Sequence, residues 1–189
     1  DLDIYQSSYE SISKNKLNIP PESKVVFFAG RIVPDKGVLL LLQAFEKLLH
    51  ENKNLKLVVV GDHMEVSKNM LGSISPEKMH YYYPLADIVV IPSQFQEPFC
   101  MVAIEAMGAG RPVLVSTRGG MVEFVKDKIT GYHLTEPMTA ETIAQDITRV
   151  MAESSLADTA QRGQQYVFGN YSWSAVTQRF EEVICNWFE

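Results

Sequence analysis

The stretch "ADIVVIPSQFQEPFCMVAIEAMGAGRPVLVST" (Ala86–Thr117) decides the fold. It opens with a continuous apolar, β-branched run and closes with another, "RPVLVST", and an almost wholly apolar helical segment lies between them. Two buried strands joined through a buried helix form a crossover unit. Strands without polar alternation belong to a parallel sheet covered on both faces. The helix poses a problem, because it carries Glu97 and Glu105, with seven residues between them. A helix that is apolar all round is buried, and an ionised carboxylate there is costly unless something hydrogen-bonds it.

The same alternation extends outward in both directions. "KVVFFAG" (Lys24–Gly30) and "LKLVVVGD" (Leu55–Asp62) read as two further buried strands, separated by the helical pattern Lys36–Asn52. A short helical pattern near Pro76–Pro84 precedes the deciding stretch. After Gly120 come a short helical piece, a strand "GYHL", and helices over Thr139–Ala152, Ala157–Phe168 and Trp173–Phe188. The fold class is α/β, a doubly wound, Rossmann-like parallel sheet. In such sheets ligands sit outside the carboxyl ends of the strands. The informative loops are therefore Arg31–Asp35, the segment from Asp62 onward, Gln94–Glu97 and Arg118–Gly120. The pattern fades from Asp62 to Ser75.

Bulk properties narrow the function. The chain has 189 residues, 46% hydrophobic and 21% charged, which suits one sizeable domain able to bury a core unaided. A formal net charge of -6 argues against a nucleic-acid partner while leaving room for a local basic pocket. Cys100 and Cys185 stand far apart and read as reduced thiols. His50, His63, His80 and His133 are scattered and form no metal-ligand spacing. No apolar run is long enough to span a membrane. The chain begins at Asp1 without Met, which reads as a fragment or a processed form.

In "GRIVPDKG" (Gly30–Gly37), Arg31 and Lys36 flank a loop between a strand and a helix amino terminus. Such a terminus favours anions, and Arg adds a fork and Lys a point charge suited to phosphate oxygens. Pro34 stiffens the loop and Asp35 is placed to cap the helix. The spacing is neither a P-loop nor a dinucleotide fingerprint. On spacing alone both residues can equally be solvated surface charges.

Pro98 suits a first helical position, which puts Glu97 at the N-cap. Glu105 then lies roughly 12 Å along the helix and about 80° around it. Two partners fit a buried Glu105. One is a protein cation such as Arg111; the other is a pair of ligand hydroxyls, as on a ribose, which one carboxylate can accept together. The second, with the loop cations on a diphosphate, describes a nucleotide sugar.

"GRIVPDKG", "EPFCMVAIE", "AMGAGRPVLVS", "RGGMVEFV", "ITGYHL" and "YSW" together resemble the nucleotide-binding half of the retaining family-four glycosyltransferases, over nearly the whole chain. Within that family, "SPEKMHYYYPLADIVVIPSQFQEPFCMVAIEAMGAGRPV" and "TGYHLTEPM" are most similar to the lipopolysaccharide core α-1,2-N-acetylglucosaminyltransferases of Gram-negative bacteria. The resemblance implies that residues 1–189 are the carboxyl-terminal, donor-binding domain of a two-domain GT-B enzyme. The terminal helices within residues 153–189 would pack back toward a missing amino-terminal domain. The catalytic set would be Arg31, Lys36 and Glu97, with Arg31 and Lys36 stabilising the departing UDP. Donor binding would involve Gly30, Arg31, Lys36, Glu97, Phe99, Cys100, Met101, Glu105, Gly119 and Gly120. In that set Glu97 binds a hydroxyl of the donor sugar, and Glu105 binds the ribose. Gly119 and Gly120 allow close backbone approach near the donor.

The resemblance also implies no cofactor and no metal, because cationic side chains and helix dipoles neutralise the leaving group. Retention would follow front-side attack, with the donor phosphate assisting deprotonation of the acceptor hydroxyl. The implied acceptor is a lipopolysaccharide core or similar glycolipid. The implied place of work is the cytoplasm, peripheral at the inner face of the bacterial plasma membrane. The segment after "VVVGD" is shorter than in the family, which bears on nucleobase recognition. Two other readings stand beside the transferase: a non-catalytic module binding a nucleotide or sugar phosphate, and a UDP-sugar hydrolase or epimerase. Among the remaining residues, Tyr81–Tyr83 and His80 read as packing or capping groups, Asp62 as a turn residue, Trp173 and Trp187 as anchors of the last helix, and Arg118 as a third cation beside the site.

Overall fold

Five short apolar segments find one another because each is too apolar to leave in water and too short to bury itself as a helix. In the computed structural model, which describes residues 2–6, 10–62 and 70–187, they are β1 (Lys24–Ala29), β2 (Leu55–Val60), β3 (Ile88–Ile91), β4 (Val113–Val115) and β5 (Tyr132–His133). They form one parallel sheet in the order β2-β1-β3-β4-β5, with Lys24 opposite Leu55, Val26 opposite Ile88, Val89 opposite Val113 and Leu114 opposite Tyr132. Side chains alternate across each strand. Val25 and Phe27 enter one core and Val26 and Phe28 the other.

Helices α1 (Val38–Glu51) and α4 (Ala140–Met151) cover the second of those faces, through Leu41, Phe45, Ile143 and Ile147. Helices α2 (Met101–Gly108) and α5 (Leu156–Tyr171) cover the first, through Ile104, Met107 and Val167. A single turn, α3 (Met121–Phe124), follows β4, and α6 (Trp173–Trp187) ends the described chain. Strand order reverses between β1 and β3, since β1 leads through α1 to β2 on one side while β3 and β4 build out on the other. That reversal opens a crevice between the loops that follow β1 and β3, the place where such sheets bind ligands.

Several local expectations are corrected. Helix α2 starts at Met101 and not at Pro98, because Cys100 is left-handed with φ of 61° and breaks the helical path. Glu97 is therefore a loop residue and no N-cap, and the helical reckoning between the two acids does not apply. Asp35 does not cap α1; it lies in a 3-10 turn, Pro34–Lys36, that ends at Gly37. Gly37 is required there: its φ is 70°, and a Cβ would lie 1.9 Å from the Pro92 carbonyl oxygen. Pro76–Pro84 forms two 3-10 turns, Pro76–Tyr81 and Tyr83–Leu85, each with a proline in its first positions.

The segment after β2 contributes one rung to the sheet. Met70 bridges Val59 in parallel, and Leu71 N donates to Val59 O at 3.0 Å. Residues 63–69, including His63, lie outside the described residues, as does most of the base-recognition question attached to them. Trp173 and Trp187 do not anchor α6 within this chain, being 65% and 84% exposed. With Val176, Phe180, Val183 and Ile184 they form an exposed apolar stripe at helical spacing.

Candidate functional site

The loops after β1, β3 and β4 meet at the crevice. Lys36, from the first, forms a close ion pair with Oε1 of Glu97, from the second. Ser93 Oγ donates to the same carboxylate oxygen at 2.8 Å, and Lys36 Nζ also stands 4.7 Å from the centroid of the Phe95 ring. The Glu97 side chain is only 6% exposed, so its charge is held by these two donors rather than by water. Arg31 is exposed, and its guanidinium has no hydrogen-bond or ion-pair partner among the described residues. The crevice thus presents one neutralised cation and one uncommitted cation.

Backbone hydrogen bonds tie the loops together. Gln94 N donates to Asp35 O at 2.7 Å and Gln94 Nε2 to Pro34 O at 2.9 Å, which joins the β3 loop to the β1 loop. Gly120 N donates to Glu97 O at 2.7 Å, joining the β4 loop to the β3 loop. Gly119 has φ of +87°, and a Cβ on it would fall 2.1 Å from Glu97 O. A Cβ on Gly120 would fall 2.3 Å from Pro98 O. The close approach that these two glycines permit is thus to the loop carrying Glu97. Gly30, with φ of +149°, is bonded through its N–H to Val60 O at 3.0 Å.

Arg118 is committed elsewhere. Its Nε and Nη2 donate to Glu136 Oε1 and Oε2 at 3.1 and 3.3 Å, and its Nη1 donates to Gln94 O at 2.6 Å. The Arg118 hydrogen bond holds the Glu136 carboxyl below the usual carboxylate range. Arg118 is a clasp on the β3 loop in this structure.

Glu105 meets the cost of its burial in an unforeseen way. Arg111 is not its partner: Arg111 donates to the carbonyls of Ala109 and Ala86 at 3.3 and 3.4 Å. Instead the phenol of Tyr83 donates to Glu105 Oε2 at 2.9 Å. Burial raises the Glu105 pKa, and the Tyr83 hydrogen bond opposes that rise. Burial, followed by the Glu105 charge, pushes the Tyr83 phenol well above its ordinary value, so it stays a donor. Beside Glu105 opens a mainly apolar cavity of about 260 Å³, walled by Phe99, Met101, Ile104, Tyr171 and Trp173. Its lining includes neither Arg31 nor Lys36.

Cys100 lies between the two acids. Burial pushes its thiol up to about 11, with the Glu97 and Glu105 charges adding to the rise and Lys36 opposing it. Phe99 and Met101, at 42% and 53% exposed, front the apolar cavity. Of the residues singled out from sequence, the structure brings Lys36, Glu97, Gly119 and Gly120 into contact and sets Glu105 apart with its own partner. Ser93 and Glu136 join the site without having been singled out, and Tyr83, read from sequence as a packing group, also donates to Glu105. For Tyr83 a signal exists, because a carboxylate in so apolar a helix demands a donor and "YYYP" supplies phenols nearby. Among the described residues there is no group of three His, Cys, Asp or Glu side chains able to hold a metal ion. No described helix is long and apolar enough to cross a membrane.

A parallel sheet whose order reverses between β1 and β3, with helices on both faces, belongs to the doubly wound α/β class, and it gathers two cations, an acid and a glycine pair at its switch point. Residues 10–166 match the family described as glycosyl transferases group 1, and the chain belongs to that family. It is 44% identical to a lipopolysaccharide 1,2-N-acetylglucosaminetransferase of Salmonella typhimurium, covering 99% of this chain and 55% of that protein. It is 32% identical to an uncharacterised glycosyltransferase of Methanocaldococcus jannaschii, covering 94% of this chain and 49% of that one. The chain thus spans about half the length of these relatives. Among solved structures, Anabaena HepE in complex with UDP and glucose superposes with a TM-score of 0.82 at 21% identity, over 98% of this chain and 55% of that one. The carboxyl-terminal domain of a Francisella tularensis group 1 glycosyl transferase, LpcC, superposes with a TM-score of 0.70 at 23% identity, over 89% and 98% of the two chains. Both structural likenesses establish the shared fold.

Proposed function

We propose that this chain is the donor-binding half of a retaining glycosyltransferase that moves N-acetylglucosamine, or another hexose, from a UDP-sugar to a hydroxyl of a lipopolysaccharide core. The observation that carries the reading is the meeting of Lys36 and Glu97 at the sheet's switch point, with exposed Arg31 beside them. It is supported by the 44% identity to the Salmonella enzyme. Arg31 and Lys36 take the diphosphate, and Lys36 passes from Glu97 to a phosphate oxygen as the donor enters. Glu97, released, accepts hydrogen bonds from a hydroxyl of the donor sugar. Glu105 accepts from the ribose, Gly30 lies beside the diphosphate, and the segment Phe99–Met101 flanks the sugar.

In the reaction the bond from the anomeric carbon to the UDP oxygen breaks, and a bond to the acceptor oxygen forms on the same face. The acceptor proton goes to an oxygen of the departing diphosphate. Charge building on UDP is met by Arg31 and Lys36, already in place before the bond breaks. No metal or cofactor enters this reading. The acceptor site belongs to a second domain, toward which the exposed stripe of α6 packs. The work is done in the cytoplasm, at the inner face of the membrane that carries the glycolipid.

Calorimetric titration of this chain with UDP, UDP-N-acetylglucosamine, UDP-glucose and NAD tests the reading. Binding of the UDP compounds and not of NAD is expected, with EDTA leaving the affinity unchanged. A folded sample that gives no heat with any UDP compound overturns it.

A further inference from the structure

The carboxylate of Glu105 is held by one side chain that belongs to another element. Tyr83 comes from the 3-10 turn ahead of β3, not from α2, and its side chain is fully buried. Its ring is wedged between Phe27 of β1, with centroids 5.6 Å apart, and Tyr5, at 6.2 Å. A buried ring in such packing does not swing, so the phenol oxygen has a fixed position in the core. Glu105 by contrast is an unbranched side chain on a short helix, with several staggered conformers open to it. The phenol selects one of them by donating to Oε2. A carboxylate oxygen accepts more than one hydrogen bond, and Oε1 carries no bond from Tyr83.

We propose that Tyr83 is a positioning residue for donor recognition: by fixing Oε2 from the core side, it turns Oε1 of Glu105 toward the vicinal hydroxyls of the ribose. This rests on the reading of Glu105 as the ribose-binding acid. Tyr83 touches neither the sugar nor the phosphates. It acts through Glu105 alone, and its effect exists only for ligands that possess the 2′ and 3′ hydroxyls. An unfixed Glu105 loses conformational entropy when it binds, which is a cost the wild-type chain has already met on folding.

The test compares UDP with 2′,3′-dideoxy-UDP by calorimetry on the whole chain, for wild type, Tyr83→Phe, Glu105→Gln and the double variant. Wild type binds UDP more tightly than the dideoxy compound. Tyr83→Phe is expected to weaken UDP about tenfold, the size of one hydrogen bond to a charged group, and to leave the dideoxy compound unchanged. In the Glu105→Gln background it adds no comparable loss, since its route of action is gone. A second variant with 4-aminophenylalanine at position 83 keeps the ring and a weaker donor, so its UDP affinity falls between wild type and Tyr83→Phe. It stands in for Tyr83→Phe if that variant does not fold.

Equal losses for both ligands mean that Tyr83 serves the fold only, and the proposal fails. An unchanged UDP affinity in a folded Tyr83→Phe also defeats it. A wild-type chain that binds UDP and the dideoxy compound equally well shows instead that Glu105 does not bind the ribose, which is a failure of the underlying reading and not of Tyr83.

Discussion

Glu97 and Glu105 are both acids in apolar surroundings, and the protein secures them by opposite means. Glu97 sits in a loop stitched to two others and carries a cation and a hydroxyl on one oxygen. Glu105 sits in a regular helix and depends on one neutral phenol. Charge compensates charge in the first case, so Lys36 and Glu97 neutralise each other. In the second, ionisation is opposed by burial, and the Tyr83 hydrogen bond is the larger of the effects that offset it. On the proposed reading, the first arrangement lets Lys36 pass to a diphosphate, and the second keeps the Glu105 carboxylate ready for neutral hydroxyls.

The largest test of this contrast lies in the backbone. Gly119→Ala forces a Cβ into the Glu97 carbonyl at a left-handed position and should cost about 4 kcal/mol, from overpacking plus backbone strain. The check is urea unfolding, and UDP binding should vanish with it. Breaking the ion pair comes next. Lys36→Met leaves Glu97 buried with Ser93 as its remaining donor, and should cost about 3 kcal/mol, as for other half-removed buried pairs. Adding Glu97→Gln should restore most of that stability while UDP still fails to bind. If Lys36→Met melts like wild type, the pair is not what holds Glu97.

Glu105→Gln should behave in the opposite sense. The folded-state pKa of Glu105 is raised, so its ionised form is disfavoured by folding. Stability relative to the Gln variant is therefore retained below the unfolded carboxylate pKa and lost as pH rises through the folded value. Melting curves at pH 4 and pH 8 should show Glu105→Gln gaining on wild type at the higher pH, while its affinity for UDP drops. A Gln variant that loses stability at pH 8 would remove the distinction between the two acids. The smallest effect concerns the thiols. Cys185 is exposed, whereas the Cys100 thiol is raised to about 11 between the acids. At pH 8 iodoacetamide should label Cys185 first and reach Cys100 only after Lys36→Met loosens the loop, as read by peptide mass spectrometry.

Much of the architecture is legible in the amino-acid order, and the exceptions are instructive. The strands stand out because each is apolar on both sides, a pattern that only a covered parallel sheet satisfies. Lys36 and Glu97 stand out because their loops come after strands, where ligands bind in such sheets. The start of α2 is misleading because Pro98 gives a strong local signal, whereas the left-handed Cys100 and the bond from Gly120 to Glu97 belong to the assembled loops. Arg118 reads as a spare cation because its partner Glu136 stands 18 residues away, beyond any local rule. Which phenol of "YYYP" meets Glu105 is hidden for the same reason: the target of Tyr83 is 22 residues on and in another element. Local preference reports where chain segments begin and end, while pairings between elements are fixed only by the assembled core.

The rung from Val59 to Met70 widens the sheet beyond β2. The crevice is assembled from the loops after β1, β3 and β4, whereas that rung hangs from the far side of β2. Trimming or lengthening the chain between Gly61 and Gly72 therefore reshapes the rim of the sheet and spares its centre. That edge can change in length or sequence while the loops that carry Lys36 and Glu97 keep their places at the middle of the sheet.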